Sequence, residues 1–462
     1  MQSFEIDKSD LQRVETALAG NDAELESVLK EYHASEIALL FEKLPQEAKE
    51  RIINILPTDV ASEVLSEMHE EQGPGELLIG LNPEKRSEIV EELDYDDATD
   101  IISQLDEDEQ QEILEDLDHE DAENIRALLK YDEDTAGGLM NSEIIKVNIN
   151  LDKKDALDEV IRQSEEMEEF YAIYVVDDAD ILQGTLSIKS IIKAKPEAHV
   201  RDLVDTDFVF VKADLDQENV ADLFSQYNLT TIPVVDENMK LLGRITVDDI
   251  IDVIEEESTE DLLKFSGVSE DEELSGNWKD AVKSRLPWLI INLATAYLAA
   301  SVVRHFDSTV ATLSILAAYM TIIAGMGGNA ATQALAVTVR RISLNDLTDK
   351  QSYNAVIKEF LVGLINGAAN GIIVFFIALF YDADPMLGLV LFLAMTGNLV
   401  VAGLTGASIP LILKRVGIDP AVASSIIITT FTDCCGFFLP LWFASKLLLD
   451  SNHHLIHHHW SL

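Results

Sequence analysis

An aspartate set inside a long apolar run is the residue of this sequence with the most chemistry to explain. Asp433 closes the segment Thr429-Thr430-Phe431-Thr432-Asp433, with membrane-like composition on both sides. A carboxylate near mid-bilayer costs about 3 kcal/mol on insertion scales, so such groups face a polar cavity or bond to a neighbouring helix, and they mark ion or proton paths. Thr429 lies one turn earlier on the same helix face. A hydroxyl and a carboxylate together, with no base close by in sequence, suit a hard cation.

A second acidic constellation lies in Asp248–Lys264, DDIIDVIEEESTEDLLK. Ile250, Ile251 and Ile254 give the predicted helix an apolar side. Asp249, Asp252, Glu256, Glu257, Glu260 and Asp261 load the remainder with charge. Carboxylates three and four residues apart repel one another on a helix, and only Lys264 at its end offsets them. Bound cations would relieve that repulsion; a solvated acidic helix is the plain alternative.

Two unlike halves must position these groups. Residues 1–280 hold 75 acidic and 23 basic residues, whereas residues 281–462 hold nine and ten. So sharp a split places a boundary near residue 280. The acidic part repels nucleic acid and anionic lipid and attracts cations, unless its charge only keeps it soluble. Adjacent Cys434 and Cys435 rarely reach relaxed disulfide geometry, so no staple framework is expected. The polar N-terminus MQSFEIDKSDLQ lacks a signal peptide and is expected to stay in the cytoplasm.

Beyond residue 285, five apolar runs are long enough to cross a bilayer: Leu286–Val303, Val310–Val339, Leu361–Tyr381, Met386–Leu413 and Ala421–Leu449. Lys279, Lys283 and Arg285 precede the first, Arg340, Arg341 and Lys350 follow the second, and Lys414 and Arg415 follow the fourth. The loop after the third carries only Asp382 and Asp384. The positive-inside rule then puts the N-terminus inside and the C-terminus outside. Within the spans, Gly325-Met326-Gly327-Gly328-Asn329 with Gln333, then Asn366, Asn370 and Asn398, depart from plain lipid-facing anchors. Isolated glycines serve helix packing. Glycine as dense as in GMGGN is expected to loosen its helix and free carbonyls, which a membrane tolerates only under protein or beside water.

The first half contains two repeats. Leu44-Pro45 and Leu56-Pro57 are twelve apart, as are Leu81-Asn82, Leu93-Asp94, Leu105-Asp106 and Leu117-Asp118. Each unit reads as a helix start followed by a short helix, predicting a small superhelical stack. Acids at the starts, such as Asp94, Asp96 and Asp97, also suit capping and the helix dipole. A second repeat has a period of 59: Tyr174-Val175-Val176-Asp177 returns as Pro233-Val234-Val235-Asp236, and Gly184-Thr185-Leu186-Ser187 as Gly243-Arg244-Ile245-Thr246. Strand, turn, strand and hydroxyl-capped helix in register resemble a tandem CBS pair. In that family a hydroxyl followed three residues later by Asp holds an adenosine ribose. Thr246 and Asp249 keep the pattern, while Ser187 and Ser190 do not. One nucleotide site at most follows, and a structural or Mg2+-sensing pair stays equally open.

Over essentially its full length the chain resembles the MgtE family of magnesium channels. The resemblance rests on the helical repeat, Asp134-Thr135-Ala136-Gly137-Gly138-Leu139-Met140 leading into the CBS pair, and the acidic connecting helix. It rests further on Arg285-Leu286-Pro287-Trp288, on GMGGN with Gln333, and on Thr432-Asp433 with Gly436. It implies a multidomain membrane protein: an all-α superhelical N domain (1–134), an α/β tandem CBS pair (135–255), an acidic connecting helix and linker (256–284), an α-helical five-span domain (285–450) and a His-containing tail (451–462). It implies no enzyme, but Mg2+ uptake across the cell membrane through a homodimer with its pore between subunits, closed when cytoplasmic Mg2+ binds the acidic domains. Mg2+ is then both substrate and regulator, ATP a candidate modulator, and membrane lipid a partner; nucleic acid is not. Asp433 matches the family's pore carboxylate, with Thr429, Ser425 and Asn329 as further pore positions. Ser425 and Thr429 stand where Asn and Ala are frequent in the family. Asp249, Asp252, Glu257, Glu260 and Asp261 match sensor acids of the connecting helix, Asp216 and Glu218 acids of the second CBS copy, and Asp96 or Asp97 a ligand of the N domain. Asn228 stands where an acid is frequent. Rival readings are a Co2+ or Mn2+ carrier, a proton-coupled exporter, a membrane-anchored nucleotide sensor, and an aspartyl protease. The protease needs two carboxylates sharing a proton, and the spans offer one at mid-membrane. His453, His454, His457, His458 and His459 in the tail suit Zn2+, Ni2+ or Co2+, but a disordered end is the simpler reading.

Overall fold

The computed structural model describes residues 8–165, 170–266, 268, 278–343, 349–418 and 420–449; the tail histidines lie outside them. The chain divides into two compact units, 1–257 and 258–462.

Among the described residues, the first unit begins with ten short α-helices, from Lys8–Leu18 to His119–Leu128. The residue after each repeated leucine stands at the N-cap: Pro45, Pro57, Asn82, Asp94, Asp106 and Asp118. Asn82 accepts a hydrogen bond from the Lys85 amide at 3.0 Å, and Asp106 from that of Glu109 at 3.0 Å, satisfying donors a helix start leaves orphaned. The repeated leucines themselves, with Ile52, Ile89, Ile102 and Ile125, fill one continuous core. A twelve-residue unit cannot bury an apolar face alone, so stacking does it.

The CBS pair forms two three-stranded sheets in the orders β1 (Lys146–Asn148), β2 (Ile173–Val176), β3 (Leu182–Leu186) and β4 (Val211–Lys212), β5 (Thr231–Val235), β6 (Leu241–Thr246). Each has a parallel and an antiparallel pairing. The 59-residue period is kept in the register: Tyr174 pairs with Thr185 as Pro233 pairs with Arg244, and Val175 with Gly184 as Val234 with Gly243. A side chain at Gly184 would strike the Asp205 carbonyl, and one at Gly243 the Asn141 carbonyl; the repeated glycine admits a flanking backbone. Beyond β6 the chain enters the connecting helix, Val247–Ser266.

In the second unit, five helices among the described residues are long and apolar enough to cross a membrane. The span helices are Trp278–His305, Leu316–Ser343, Asp349–Tyr381, Pro385–Arg415 and Pro420–Ala444. Two expectations need correction. The second span does not begin at Val310: Asp307–Thr312 is a separate short helix, broken from the long one at Leu313–Ile315. Nor does GMGGN loosen its helix, which is continuous from Leu316 to Ser343. Glycine there serves close approach. A Cβ at Gly327 would run into the Asn398 amide, whose Nδ2 donates to the Ile323 carbonyl at 2.8 Å while the residue is fully buried. Gly327→Ala should therefore destabilise the membrane unit by about 1–3 kcal/mol through overpacking. Unfolding in detergent checks this, and in an Asn398→Ala background the same change should cost much less.

Candidate functional site

The membrane site is built on the contact between the second and fifth span helices. Ile428 packs with Ala331 and Leu335, whereas a Cβ at Gly436 would lie 2.7 Å from Ala324 Cα. Higher numbers on one helix meet lower numbers on the other, so the two run antiparallel, and Asp433 comes level with Gly327 and Gly328. Among the described residues, apart from the chain neighbours and the helix's own nearby backbone, no atom stands within 4 Å of a Cβ built at Gly325 or Gly328. Asp433 is partly buried, Ser425 likewise, and Thr429 and Asn329 are exposed. The Thr429 hydroxyl donates to the Ser425 carbonyl at 2.7 Å, and that of buried Thr432 to the Thr429 carbonyl at 3.0 Å. The lone pairs of exposed Thr429 remain available, whereas Thr432 is enclosed. The arrangement is one carboxylate, small residues and polar oxygens along one helix, which suits an ion that keeps its water.

The second site is an acidic cluster within the first unit. The helix Tyr95–Ser103 starts at Asp94, whose side chain makes no capping hydrogen bond, unlike Asp106 and Asp118. Capping thus explains the acids of those two repeats but not of this one. Asp96 accepts from Asn141 Nδ2 at 3.1 Å and from the Asp97 amide at 3.1 Å. Burial holds its carboxyl well above the ordinary range, with Asp249 the strongest of the neighbouring charges. Asp97 is pushed up to about 7 by burial, then by Asp94 and Asp249. Asp100, facing solvent on one side, is pushed up to about 8 by burial and then by Asp97 and Glu133. Asp249 is pushed up to about 6 by burial, opposed by hydrogen bonds from the Thr246 hydroxyl and amide at 2.7 and 3.1 Å. Burial also raises Asp252, Glu256 and Glu70, each with further carboxylates nearby. Two segments some 150 residues apart thus bring their acids together, as spacing alone could not reveal. Asp100, Glu70 and Glu133, none singled out from sequence, belong to the same cluster.

The other sensor candidates are placed differently. Asp216 caps the helix Gln217–Tyr227 by accepting from the Glu218 amide at 3.0 Å, and both carboxylates are exposed. Asn228 closes that helix in the left-handed conformation, φ 51°, which asparagine tolerates. Glu257 accepts from Gln217 Nε2 at 2.9 Å. Glu260 is ion-paired with Lys264, and Asp261 lies beside it on the connecting helix. Among the described residues no three His, Cys, Asp or Glu converge as a closed ligand cage.

Raised carboxyls carry a sign. Between about pH 4 and pH 8 the folded cluster binds protons that an unfolded chain, with carboxyls near 4, releases. Stability should therefore rise as pH falls through that window. In divalent-free buffer the full chain's first thermal transition should move upward from about pH 8.5 to about pH 5.5, by about 2–4 °C per kcal/mol relieved. Asp97→Asn should flatten the rise, and a fall on acidification would contradict the repulsion.

Comparison with known proteins bears on the family of the chain. Residues 320–443 match the divalent cation transporter family MgtE, residues 32–134 the MgtE intracellular N domain, and residues 136–197 and 200–256 the CBS domain. The magnesium transporter MgtE of Thermus thermophilus is 32% identical over 436 residues, covering 94% of this chain and 96% of its own. The chain belongs to the MgtE family. The magnesium transporter MgtE of Bacillus subtilis is 30% identical, over 93% of this chain and 95% of its own. A solved structure of the cytosolic domain of the Mg2+ channel MgtE in complex with ATP is 36% identical, covers 53% of this chain and 99% of its own, and superposes with a TM-score of 0.49. Magnesium transport, a non-enzymatic function, is thus what these relatives are named for, and with five apolar helices among the described residues the chain is a multi-pass membrane protein of their family.

Proposed function

We propose that the chain acts as a homodimeric, Mg2+-selective channel for uptake across the cell membrane, closed from the cytoplasmic side by Mg2+ itself. The observation that carries this reading is Asp433, a carboxylate inside a membrane-spanning helix, level with Gly328, where an added side chain would meet open space, and flanked by exposed Asn329 and Thr429. Two copies facing each other across a subunit interface would hold a largely hydrated ion between two negative charges, with Thr429, Ser425 and Asn329 bonding its waters. The basic loops orient the N-terminus and the acidic unit toward the cytoplasm and the C-terminus outward.

Closure follows from charge. Without Mg2+, the acids Asp96, Asp97 and Asp249, with Asp252, Glu257, Glu260, Asp261, Asp216 and Glu218, repel within and between subunits. Bound ions neutralise them and draw the connecting helices together. Thr246 and Asp249 are also the adenosine-ribose candidates; since they already bond to each other at 2.7 Å, ATP would act as a modulator by engaging a sensor acid. Mg2+ flux into liposomes, with Mn2+ and Co2+ as competitors and Asp433→Ala beside the parent, tests the pore. Unchanged flux in that variant removes the reading, and light scattering on the detergent-solubilised protein tests the dimer.

A further inference from the structure

Glu359 is an acid the pore reading leaves unused. It stands two residues before the third apolar run, in the span helix Asp349–Tyr381, yet its side chain is only 10% exposed. Burial follows from a close helix contact: a Cβ at Gly403 of the fourth span helix would strike the Glu359 carbonyl. Beside it lies a cavity of about 250 Å3, lined by Glu359, Lys358, Gln333, Asn366, Val337 and Val362 among others. One carboxylate and two carboxamides share a space with aliphatic walls. Lys358 Nζ is 3.7 Å from Glu359 Oε1, longer than a hydrogen bond, and its side chain is 53% exposed. It is a counter-charge free to swing away.

We propose that this cavity is a second binding site for a hydrated divalent cation, one step further along the same path. Glu359 is its anionic ligand, and Gln333 and Asn366 are acceptors for the ion's waters. At about 30 Å3 per water, the cavity has room for an ion with its shell of about six waters, the octahedral habit of Mg2+. Its link to the path is Gln333, one turn beyond Asn329 on the same helix and about 8–9 Å along the axis from the level of Asp433. Two sites in sequence let one ion leave as the next arrives. Lys358 keeps the second site weak, so that an ion entering it also departs. The proposal rests on the pore reading and deepens it.

The test uses the full chain in liposomes, with Mg2+ influx followed over a range of Mg2+ concentrations. Glu359→Gln keeps the shape and removes the charge; flux at limiting Mg2+ should fall about tenfold and recover toward the parent's at high Mg2+, as for a lost metal contact. Asn366→Cys, at an exposed position, should create a block by Cd2+ that the parent lacks and that Mg2+ protects against. Asp433→Ala, run alongside, reports on the pore reading alone, so that the two failures stay distinct. A Glu359→Gln concentration curve identical to the parent's, with Asn366→Cys indifferent to Cd2+, overturns the proposal. So does flux that ignores Glu359→Gln but varies with the phospholipid used, which would assign the cavity to a lipid headgroup. If Glu359→Gln fails to fold, the Cd2+ response of Asn366→Cys decides.

Discussion

Replacing Asp433 with Ala should lower Mg2+ flux by about a hundredfold, with the protein still folded. The size follows from what each subunit loses. A hydrogen bond to a charged group contributes about 1.5–3 kcal/mol, and the proposed dimer would lose two such groups at the same ion. About 3 kcal/mol in total is two powers of ten. Asp433→Asn separates charge from shape: it keeps an acceptor for the ion's water but no net charge, and should recover little of the loss. Asp433→Glu keeps the charge and lengthens the reach by one methylene, so it should fall between. The fold should survive these changes, because burying a carboxylate in a membrane helix is itself costly, and the core of the membrane unit is built instead from Leu316, Ile323, Val390, Leu391 and Leu399. Flux that continues at the parent's rate in both neutral variants would leave the pore elsewhere.

The second large effect concerns closure. A gate moved from 1:99 to 99:1 needs about 5.5 kcal/mol of differential binding, which several sites of about 1 kcal/mol each supply jointly. The triple variant Glu257→Ala, Glu260→Ala, Asp261→Ala removes three of them and with them the steep part of the response. Uptake by that variant should persist at cytoplasmic Mg2+ levels that silence the parent. Basal conduction should be unaffected, since none of the three is a pore position. Two local partners are disturbed as well, Gln217 at Glu257 and Lys264 at Glu260. Gln217→Ala alone, which leaves every carboxylate in place, is therefore the control and should inhibit normally. Normal Mg2+ inhibition of the triple variant would exclude the connecting helix as the sensor.

Much of the architecture could be read along the chain because it is periodic. A leucine and a helix starter every twelve residues, a strand-glycine-hydroxyl pattern every 59, and five apolar runs are local statements about which face each segment must bury. The structure carries each of them, down to the shared register of Tyr174 with Thr185 and Pro233 with Arg244. The intramembrane Asp433 was legible for the same reason: a charge in an apolar run needs no partner to be conspicuous. Where a local rule was read too literally, packing overrode it. Glycine-rich GMGGN stays helical, and Gly327 proves to be the place where Asn398 fits.

Tertiary structure alone decided which charges meet. Asp94, Asp96 and Asp97 look like three more helix-start acids until the connecting helix brings Asp249 among them, where burial first and neighbouring carboxylates second raise the proton affinity of Asp96 and Asp97. Glu359 sits two residues outside an apolar run and reads as a membrane-edge charge, yet the third and fourth helices bury it beside Gln333 and Asn366. Periodicity reports the one-dimensional alternation of burial, which each segment carries in itself. Electrostatic repulsion and desolvation depend on distances between segments remote in sequence, and those exist only once the chain has folded.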